Sequence, residues 1–301
     1  MSVQHTTSCG FFALIGAPNV GKSTLINHVV GAKVSIVSSK VQTTRTRVLG
    51  ITIRDQSQII FIDTPGIFSP KRRLDRAMVA SAWGGASDAD CVILLVDAKF
   101  GIDTETQVII DGLTKVNRKV IVAINKIDIV KKPVLLSLVA TLSAIEIFSE
   151  TFMISAETGD GVDDLLSYLS NLLPNGPWLY PEDQISDMPS RLLAAEITRE
   201  KIYQQLHQEL PYVLTVETDK WVQGDDGSAK VYQIIIVQKP GQKAIVLGKG
   251  GAKIKKIGEL ARKELENLFG HRVHLFLFVK VRQKWGDDPE RYTEWGLDFN
   301  A

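Results

Sequence analysis

The sequence has few cysteines and no long apolar run. Its 301 residues include two cysteines, Cys9 and Cys91, which stand far apart without metal-site spacing. This usage excludes a disulfide framework and is typical of a reducing cytosol. Residues 1–8 have neither the basic nor the apolar region of a signal peptide, and no apolar run approaches the roughly 20 residues of a membrane span. We therefore expect a cytoplasmic protein without a transmembrane segment.

The chain also lacks a large net charge, because 35 basic residues nearly balance 34 acidic ones. The overall value of +1 by itself predicts no polyanionic partner. The five histidines are scattered, and none stands beside a second metal ligand. A length of 301 residues with an apolar share of 45% predicts a globular chain of two domains.

A phosphate-binding motif stands near the start of the chain. Residues 16–23 fit the P-loop pattern, in which four residues separate two glycines and Lys and Ser follow. An apolar strand, residues 11–15, precedes the motif, and a helical stretch, residues 24–30, follows it. Glycines let the backbone approach phosphates closely, and the helix start adds a positive dipole end. The predicted phosphate site comprises Gly16, Ala17, Pro18, Asn19, Val20, Gly21, Lys22, Ser23 and Thr24.

Further apolar strands alternate with helical stretches, and polar motifs follow their ends. These strands are predicted at residues 59–62, 92–97, 120–124 and 152–154. The alternation predicts a mainly parallel sheet with ligands at the carboxyl ends of its strands. The residues predicted there to contact a nucleotide are Asp63, Thr64, Pro65, Gly66, Asn125, Lys126, Asp128, Ser155 and Ala156.

In this order and spacing, the motifs over residues 11 to about 172 resemble those of the small GTPases. The resemblance implies a Mg²⁺-dependent switch that binds GTP or GDP and hydrolyses GTP. Lys22 is expected to contact the β- and γ-phosphates, and Gly66 to reach the γ-phosphate only while it is present. Ser23 and Asp63 are expected to hold Mg²⁺, Asp63 through a water. Either Thr44 or Thr43 is expected to complete the metal site from the polar segment 33–55, with Thr44 favoured because it directly precedes Arg45. We predict Lys22, Thr44 and Gly66 as the catalytic residues.

Base selection is predicted to depend on Asp128. Guanine presents N1–H and N2–H₂ as adjacent donors that one carboxylate accepts, whereas adenine offers no matching pair. Asn125 is expected to bond the other base edge and tie the loops together, and the Lys126 stem to lie over the ring. The backbone of Ser155 and Ala156 is expected to meet the guanine carbonyl oxygen.

One position departs from the Ras pattern. Ile67 follows Gly66, where Ras-type proteins carry a Gln that orients the attacking water. We therefore expect slow intrinsic hydrolysis. Asn19 resembles the asparagine with which a subgroup of bacterial GTPases binds K⁺ near the phosphates; the alternative is that Asn19 only braces the loop.

A predicted helix, residues 163–173, stops at Pro174 and closes a GTPase domain over residues 1–174. A linker rich in proline and polar residues is predicted over 175–189, a second domain over 190–284 and a tail over 285–301. Within the second domain the patterns predict a helix at 190–209 capped by Ser190, strands at 212–218 and 230–237, a helix at 252–269 and a strand at 272–282.

The second domain resembles a KH domain of the bacterial type (type II), a small α+β fold. Its signature is a Gly-x-x-Gly loop between helices that clamps the backbone of single-stranded nucleotides. Residues 239–284 carry twelve basic and three acidic residues, an excess of nine positive charges. The predicted RNA-binding residues are Gly248, Lys249, Gly250, Gly251, Lys253, Lys255 and Lys256. Ile245, Leu247, Ile254 and Ile257 are expected to line the RNA groove, or to pack in the core.

One GTPase domain followed by one KH domain resembles the bacterial ribosome-assembly GTPases. The resemblance implies a monomer that assists assembly of the small ribosomal subunit, binds its ribosomal RNA near the 3′ end and contacts the membrane peripherally. The single P-loop excludes the related factors with two GTPase domains. Two alternatives stay open: a signalling GTPase whose second domain binds protein, and an RNA-binding module whose nucleotide site is only structural.

Overall fold

The structure is a computed structural model that describes residues 7–38, 44–116, 120–206 and 213–301. The chain folds as two compact units. The first comprises the described residues of Met1–Ser35, Thr44–Asp187 and Tyr292–Ala301. The second comprises those of Ile36–Thr43 and Met188–Arg291. Thr43, one of the two alternatives for the metal site, lies outside the described residues.

The first unit is built on a sheet with helices on both faces. Its described strands are β1 (Ser8–Ile15), β2 (Val48–Arg54), β3 (Ser57–Asp63), β4 (Cys91–Asp97), β5 (Val120–Asn125) and β6 (Phe148–Met153). Its described α-helices, apart from one in the C-terminal tail, are α1 (Lys22–Val30), α2 (Arg73–Asp88), α3 (Thr104–Val116), α4 (Lys132–Ser143) and α5 (Val162–Leu172).

These strands lie in the order β2-β3-β1-β4-β5-β6. Every neighbouring pair is parallel except β2 with β3, which confirms the mainly parallel sheet. The central strands are buried because crossover helices cover both faces, so their sequences are continuous apolar runs. The carboxyl ends of β1, β3, β4 and β5 therefore meet at one edge of the sheet.

Strand β2 lies in the segment 33–55 that the sequence predicted as a polar switch segment. That prediction is wrong for the second half of the segment. Val48, Leu49 and Ile51 are buried, because β2 pairs antiparallel with β3 over its full length. β3 is the next strand along the chain and follows β2 after a two-residue turn. The mixture of Thr, Arg and apolar residues hid β2 from the sequence pattern.

The second unit has the helix and strand order of a type II KH domain. Its elements are α6 (Ser190–Gln205), β7 (Leu214–Gln223), β8 (Ala229–Val237), α7 (Pro240–Leu247), α8 (Ala252–Phe269) and β9 (Val273–Val281). The strands lie in the order β7-β8-β9, and β8 and β9 are parallel. A parallel pair needs a crossover, which α7 and α8 supply. This confirms the predicted fold class, although Ser190 is the first residue of α6 and Pro189 stands at the N-cap position.

The segment predicted as a linker is attached to the first unit. The Gln58 side chain, which is fully buried, donates to the Tyr180 carbonyl at 2.8 Å. Its Oε1 accepts the N–H groups of Leu179 and Tyr180 at 2.9 and 3.1 Å. A β-bridge joins Gly50 to Ser186. The buried Gln58 amide needs hydrogen-bond partners, and the backbone of this segment supplies them. Residues 179–186 are therefore an ordered part of the first unit.

The predicted tail divides between the two units. A 3₁₀ turn (Trp285–Asp287) and α9 (Pro289–Glu294) begin it. In the second unit, Trp285 Nε1 donates to the Val213 carbonyl at 3.1 Å. In the first unit, Arg73 donates to the Phe299 carbonyl at 3.2 Å and lies over the Phe299 ring. The aromatic residues of the tail are thus packing residues.

Candidate nucleotide and RNA-binding sites

The P-loop follows β1 and ends where α1 begins. Gly16 has φ +154° and Gly21 has φ +102°, a conformation that glycine adopts without strain. A Cβ at Gly16 would lie 2.6 Å from the Leu95 carbonyl oxygen, so the loop is packed closely on β4. Gly21 stands at the N-cap of α1, and the free N–H groups of the first turn are available to an anion.

Lys22 reaches back across the loop. Its side-chain ammonium donates to the carbonyls of Gly16 and Ala17 at 3.0 and 3.1 Å. Burial lowers the pKa of Lys22 to about 8, and the nearby Asp63 carboxylate opposes this shift. The buried cation is therefore held over the P-loop, where the β- and γ-phosphates are expected.

Three hydroxyl groups converge on the Asp63 carboxylate. Its Oδ2 accepts from Ser23 at 2.9 Å, Ser35 at 2.7 Å and Thr44 at 3.3 Å. Within the described part of the chain, Asp63 Oδ1 is buried and has no hydrogen-bond partner. Burial raises the pKa of Asp63, while Ser35 and Lys22 lower it.

This group fits a magnesium ion. A buried, unsatisfied carboxylate oxygen calls for a ligand, and Mg²⁺ takes oxygen donors from one or two protein groups together with phosphates. The structure brings together Ser23, Thr44 and Asp63, the three predicted metal residues, with Ser23 and Thr44 hydroxyls 3.0 Å apart. Thr43, the other candidate, lies outside the described residues, so the choice of Thr44 stays a prediction.

Ser35 belongs to this group but the sequence did not reveal it. It is 2% exposed and stands between two buried apolar residues, Val34 and Ile36. Asn27 fixes the local chain by accepting the N–H groups of Val34 and Ser35. A lone serine in an apolar stretch was the available signal, and no motif connects it to Asp63.

The predicted base-binding residues line one cavity of about 140 Å³. Asn125 connects its walls, because its Nδ2 donates to the Val20 carbonyl at 2.7 Å and its Oδ1 accepts the Ala156 N–H at 2.8 Å. The predicted tie between the loops is thus present, and in this structure the Ala156 N–H is used within it. Asp128 is exposed at the rim in the 3₁₀ turn Ile127–Ile129. The lining residues are Gly21, Thr24, Asn125, Lys126, Asp128, Ile129, Ser155, Ala156 and Glu157.

Lys126 is fixed at the wall of this cavity by two acceptors. Its ammonium donates to the Asn19 carbonyl at 2.7 Å and to the Asp97 carboxylate at 2.6 Å. Asp97 ends β4, and sequence reasoning gave it no role. A sequence signal for Asp97 existed, because it stands at the carboxyl end of a buried strand, as the other motif residues do. Its charge orients the Lys126 stem that is expected to cover the base.

The segment after β3 lies against the P-loop. The Thr64 hydroxyl donates to the Leu14 carbonyl at 2.6 Å, and the Ile67 N–H donates to the Gly16 carbonyl at 3.1 Å. A Cβ at Gly66 would lie 2.9 Å from the Pro18 Cα. Only glycine allows this approach. Ile67 is 3% exposed, so its side chain is part of the core.

In the second unit, the Gly-x-x-Gly loop joins α7 to α8. Gly248, Gly250 and Gly251 all have positive φ, at 72°, 59° and 78°. A Cβ at Gly248 would lie 2.7 Å from the Lys253 Cβ, whereas one at Gly250 would meet open space. Lys249 and Gly250 are exposed. The loop therefore offers an open surface at its two central residues.

A groove of about 460 Å³ lies between α8 and β9. Ile254, Leu275 and Leu277 supply apolar lining, and Lys255, Glu259 and Arg262 supply charges of both signs. Arg262 is paired with Glu266. Lys255 lines the groove as an RNA contact would, whereas Lys256 is paired with Glu259. Arg262 was not among the predicted contacts. Apolar walls suit unstacked bases, and Lys255 places a positive charge beside them for a phosphate backbone.

The four predicted groove residues separate into different environments. Ile254 lines the groove, but Ile257 is fully buried in the core with Ala261 and Leu265 of the same helix. Their helical spacing turns them toward the sheet, so the groove prediction for Ile257 is wrong. Leu247 packs partly buried against the same core, and Ile245 is 50% exposed.

Comparisons with known proteins agree with both units. A family model described as a 50S ribosome-binding GTPase matches residues 11–126, and one described as a KH domain matches residues 209–286. GTPase Era of Bradyrhizobium sp. is 62% identical over 98% of this chain and 96% of its own. GTPase Era of Brucella suis is 56% identical over 97% of this chain and 94% of its own.

Two solved structures are similar over nearly the whole chain. One is a variant of Aquifex aeolicus Era bound to GDP and AlF₄⁻, and the other is Era in complex with MgGDPNP and nucleotides 1506–1542 of 16S ribosomal RNA. Each has a TM-score of 0.91 and 40% identity, and covers 96% of this chain and 99% of its own. The protein is a P-loop GTPase that carries a KH domain. It belongs to the GTPase Era family.

No described α-helix has the length and apolar character needed to span a membrane.

Proposed function

We propose that the protein binds single-stranded ribosomal RNA of the small subunit near its 3′ end and assists assembly of that subunit, under control of GTP. The observation that carries this proposal is that α8 follows the exposed loop residues Lys249 and Gly250 and, further along, forms a groove with β9. The Era complex that contains nucleotides 1506–1542 of 16S RNA supports it, because it matches 96% of this chain. The family model named for the 50S ribosome covers only residues 11–126.

For nucleotide binding we propose separate roles for the P-loop, the magnesium-binding residues and Gly66. Lys22 neutralises the β- and γ-phosphates, and the first turn of α1 binds them through backbone N–H groups. Ser23, Thr44 and Asp63 hold the magnesium ion, which neutralises charge that develops on the phosphates. Gly66 reports the γ-phosphate, and its closeness to Pro18 suits that role. Loss of the γ-phosphate releases the segments that carry Thr44 and Gly66.

The metal assignment predicts the effect of Asp63→Ala. Removing the carboxylate takes away the only negative charge among the three residues predicted to hold Mg²⁺, so GTP turnover should fall on the order of 100-fold. Phosphate release at saturating MgGTP measures this. Asp111→Ala changes an exposed carboxylate of α3 and should leave turnover unchanged. Turnover of Asp63→Ala equal to that of Asp111→Ala would contradict the assignment.

We propose that K⁺ near Asn19 replaces the missing glutamine. The burial of Ile67 supports the need for a substitute, because position 67 presents no polar side chain. Hydrolysis should then be faster in K⁺ than in Na⁺. Asn19 has φ +63°, so Asn19→Gly removes the side chain without straining the loop, and Asn19→Ala tests the same loss with a Cβ.

Both Asn19 variants should lose the gain in K⁺ and keep the rate in Na⁺. Steady-state phosphate release in the two salts at equal ionic strength is the measurement. Equal wild-type rates in both salts would reject the ion, and a gain retained by both variants would assign Asn19 to bracing the loop.

The cytoplasmic location, the monomeric state and the peripheral membrane contact stay predictions from the family resemblance. Sedimentation of the purified chain measures the monomeric state. Flotation with anionic vesicles measures the membrane contact, which should be weak and salt-sensitive if it is electrostatic.

A further inference from the structure

The strands of the second unit direct alternate side chains to opposite faces of their sheet. On β9, Val273, Leu275 and Leu277 pack into cores formed with α6 and α8. The intervening residues point to the other side. Two of them are Phe276 and Phe278, which are 41% and 52% exposed. Two exposed phenylalanines two residues apart form an apolar patch away from the helices.

The register of β8 and β9 extends this patch. Tyr232 is the cross-strand neighbour of Phe276, and Ile234 is the neighbour of Phe278. The rings of Tyr232 and Phe276 are stacked, with centroids 4.7 Å apart and an angle of 14° between their planes. Ile234, by contrast, is buried. The result is a platform with aromatic rings open to solvent.

Lysines border the platform on the same face. Lys220 of β7 is opposite Tyr232, and Lys230 of β8 and Lys280 of β9 occupy the same pleat positions as the aromatic residues. All three are exposed. In the ranges that the structure describes, none of them forms an ion pair. We call Lys220, Lys230, Tyr232, Phe276, Phe278 and Lys280 the outer face.

The acidic residues near the outer face are fewer. Glu217 is paired with Arg291, which neutralises it. Asp219 is exposed at the irregularity in the pairing of β7 with β8. Asp226 is also exposed and interacts electrostatically with His274, the cross-strand neighbour of Lys230. Three exposed lysines against Asp219 and Asp226 leave this face with a small excess of positive charge, which suits a polyanion.

We propose that the outer face is a second binding surface for single-stranded RNA, on which unpaired bases stack on Phe276 and Phe278 while the lysines contact phosphates. Side chains two residues apart on a strand are about 7 Å apart, which leaves room for one base on each ring. Exposed aromatic residues on a sheet bind bases in this way, because every base has a π-face.

This surface is separate from the groove beside the Gly-x-x-Gly loop. Leu275 and Leu277 line that groove, and they point away from Phe276 and Phe278 on the same strand. β9 therefore presents one face to each site. An RNA that fills the groove leaves the outer face available to a further single-stranded segment.

The test uses the full chain and a 16S RNA fragment of nucleotides 1506–1542 as the probe. Replacing Phe276 and Phe278 together by Ala should weaken binding on the order of tenfold or more, because both stacking rings are lost. Phe278→Trp keeps a planar ring and should retain wild-type affinity. Val134→Ala with Leu136→Ala removes comparable exposed apolar area from α4 and should change nothing. Ultraviolet crosslinking followed by mass spectrometry should place nucleotides on the peptide that contains Phe276 and Phe278.

A second variant keeps the aromatic rings. Lys230→Glu with Lys280→Glu should weaken binding and reduce its salt dependence. Unchanged affinity in the phenylalanine variant, together with no crosslink on β9, would overturn the proposal. A wild-type dimer that the phenylalanine variant dissociates would assign the outer face to a second copy and would also overturn it. Binding of the probe by the wild type tests the proposed function separately, since only the difference between variants reports on this surface.

Discussion

Replacing Lys249 and Gly250 together by Asp should lower the affinity for single-stranded ribosomal RNA by at least about 100-fold. The change converts one positive charge into two negative ones at the two exposed residues of the loop. Each new carboxylate would stand where phosphates are expected to pass. The side chain added at position 250 would also block the close approach of the sugar-phosphate backbone.

The fold should survive this double change. A Cβ at Gly250 would meet open space, and aspartate tolerates the left-handed conformation, here φ +59°, better than most residues. Gly248 is left unchanged because a Cβ there would lie 2.7 Å from the Lys253 Cβ. GTP affinity and basal hydrolysis should stay near wild type, since the first unit contains that site.

Filter-binding titration with the 16S fragment, run beside a GTPase assay on the same preparation, measures both outcomes. Lys132→Asp with Ser137→Asp is the matched control, because it changes the net charge equally on exposed positions of α4. The control should bind RNA as the wild type does. Retained RNA affinity in the loop variant would show that the basic surface binds without the clamp, and would remove the role proposed for the loop.

Asp128→Asn should change which base the protein prefers. The amide cannot accept both donors of guanine, so GTP affinity should fall by at least about tenfold. The amide can donate to the carbonyl that xanthine carries at the same edge. Xanthosine triphosphate should therefore become the better ligand.

Competition against a fluorescent GDP analogue measures both affinities. Asp128 lies exposed at the rim of its cavity, and the substitution keeps its size, so the fold should not change. Asp111→Asn on α3 is the control for loss of a charge. Unchanged GTP affinity in Asp128→Asn would contradict the role of Asp128 in base selection.

The sequence predicted which motif residues the fold brings to one edge of the sheet, because these residues follow strand ends. Gly16, Asp63 and Asn125 each come directly after or at the end of a buried strand, and parallel strands bring such ends together. The local sequence pattern was therefore enough to predict that these distant residues lie close together. The position of the Gly-x-x-Gly loop was also predictable from a local pattern. The loop directly precedes α8, and α8 begins and ends at the residues that the sequence predicted.

What the sequence did not reveal depends on contacts without a local signal. Ser35 reaches Asp63 from a segment that has no motif. Leu179 and Tyr180, which bond the Gln58 side chain, lie more than 100 positions further along the chain. The outer face is defined by the parallel register of Tyr232 with Phe276, which no spacing within either strand discloses. Such pairings become visible only when the sheet order is known.

A signalling GTPase with a protein-binding second domain was the alternative of a different class that the sequence left open. That alternative predicts that the affinity for RNA depends little on salt concentration. Contacts from several lysines to phosphates predict instead an RNA affinity that falls steeply as salt rises. Repeating the wild-type titration at two salt concentrations separates the two. A slope near zero would favour the protein-binding alternative.

The central claim is that one chain combines a GTP site with binding of small-subunit ribosomal RNA. Crosslinking the protein to RNA in cell extract, with and without a GTP analogue, and sequencing the bound RNA tests it most directly. We predict that the reads concentrate near the 3′ end of the small-subunit ribosomal RNA and that the GTP analogue changes their yield. Reads spread in proportion to RNA abundance, or concentrated on the large-subunit RNA, would contradict the account.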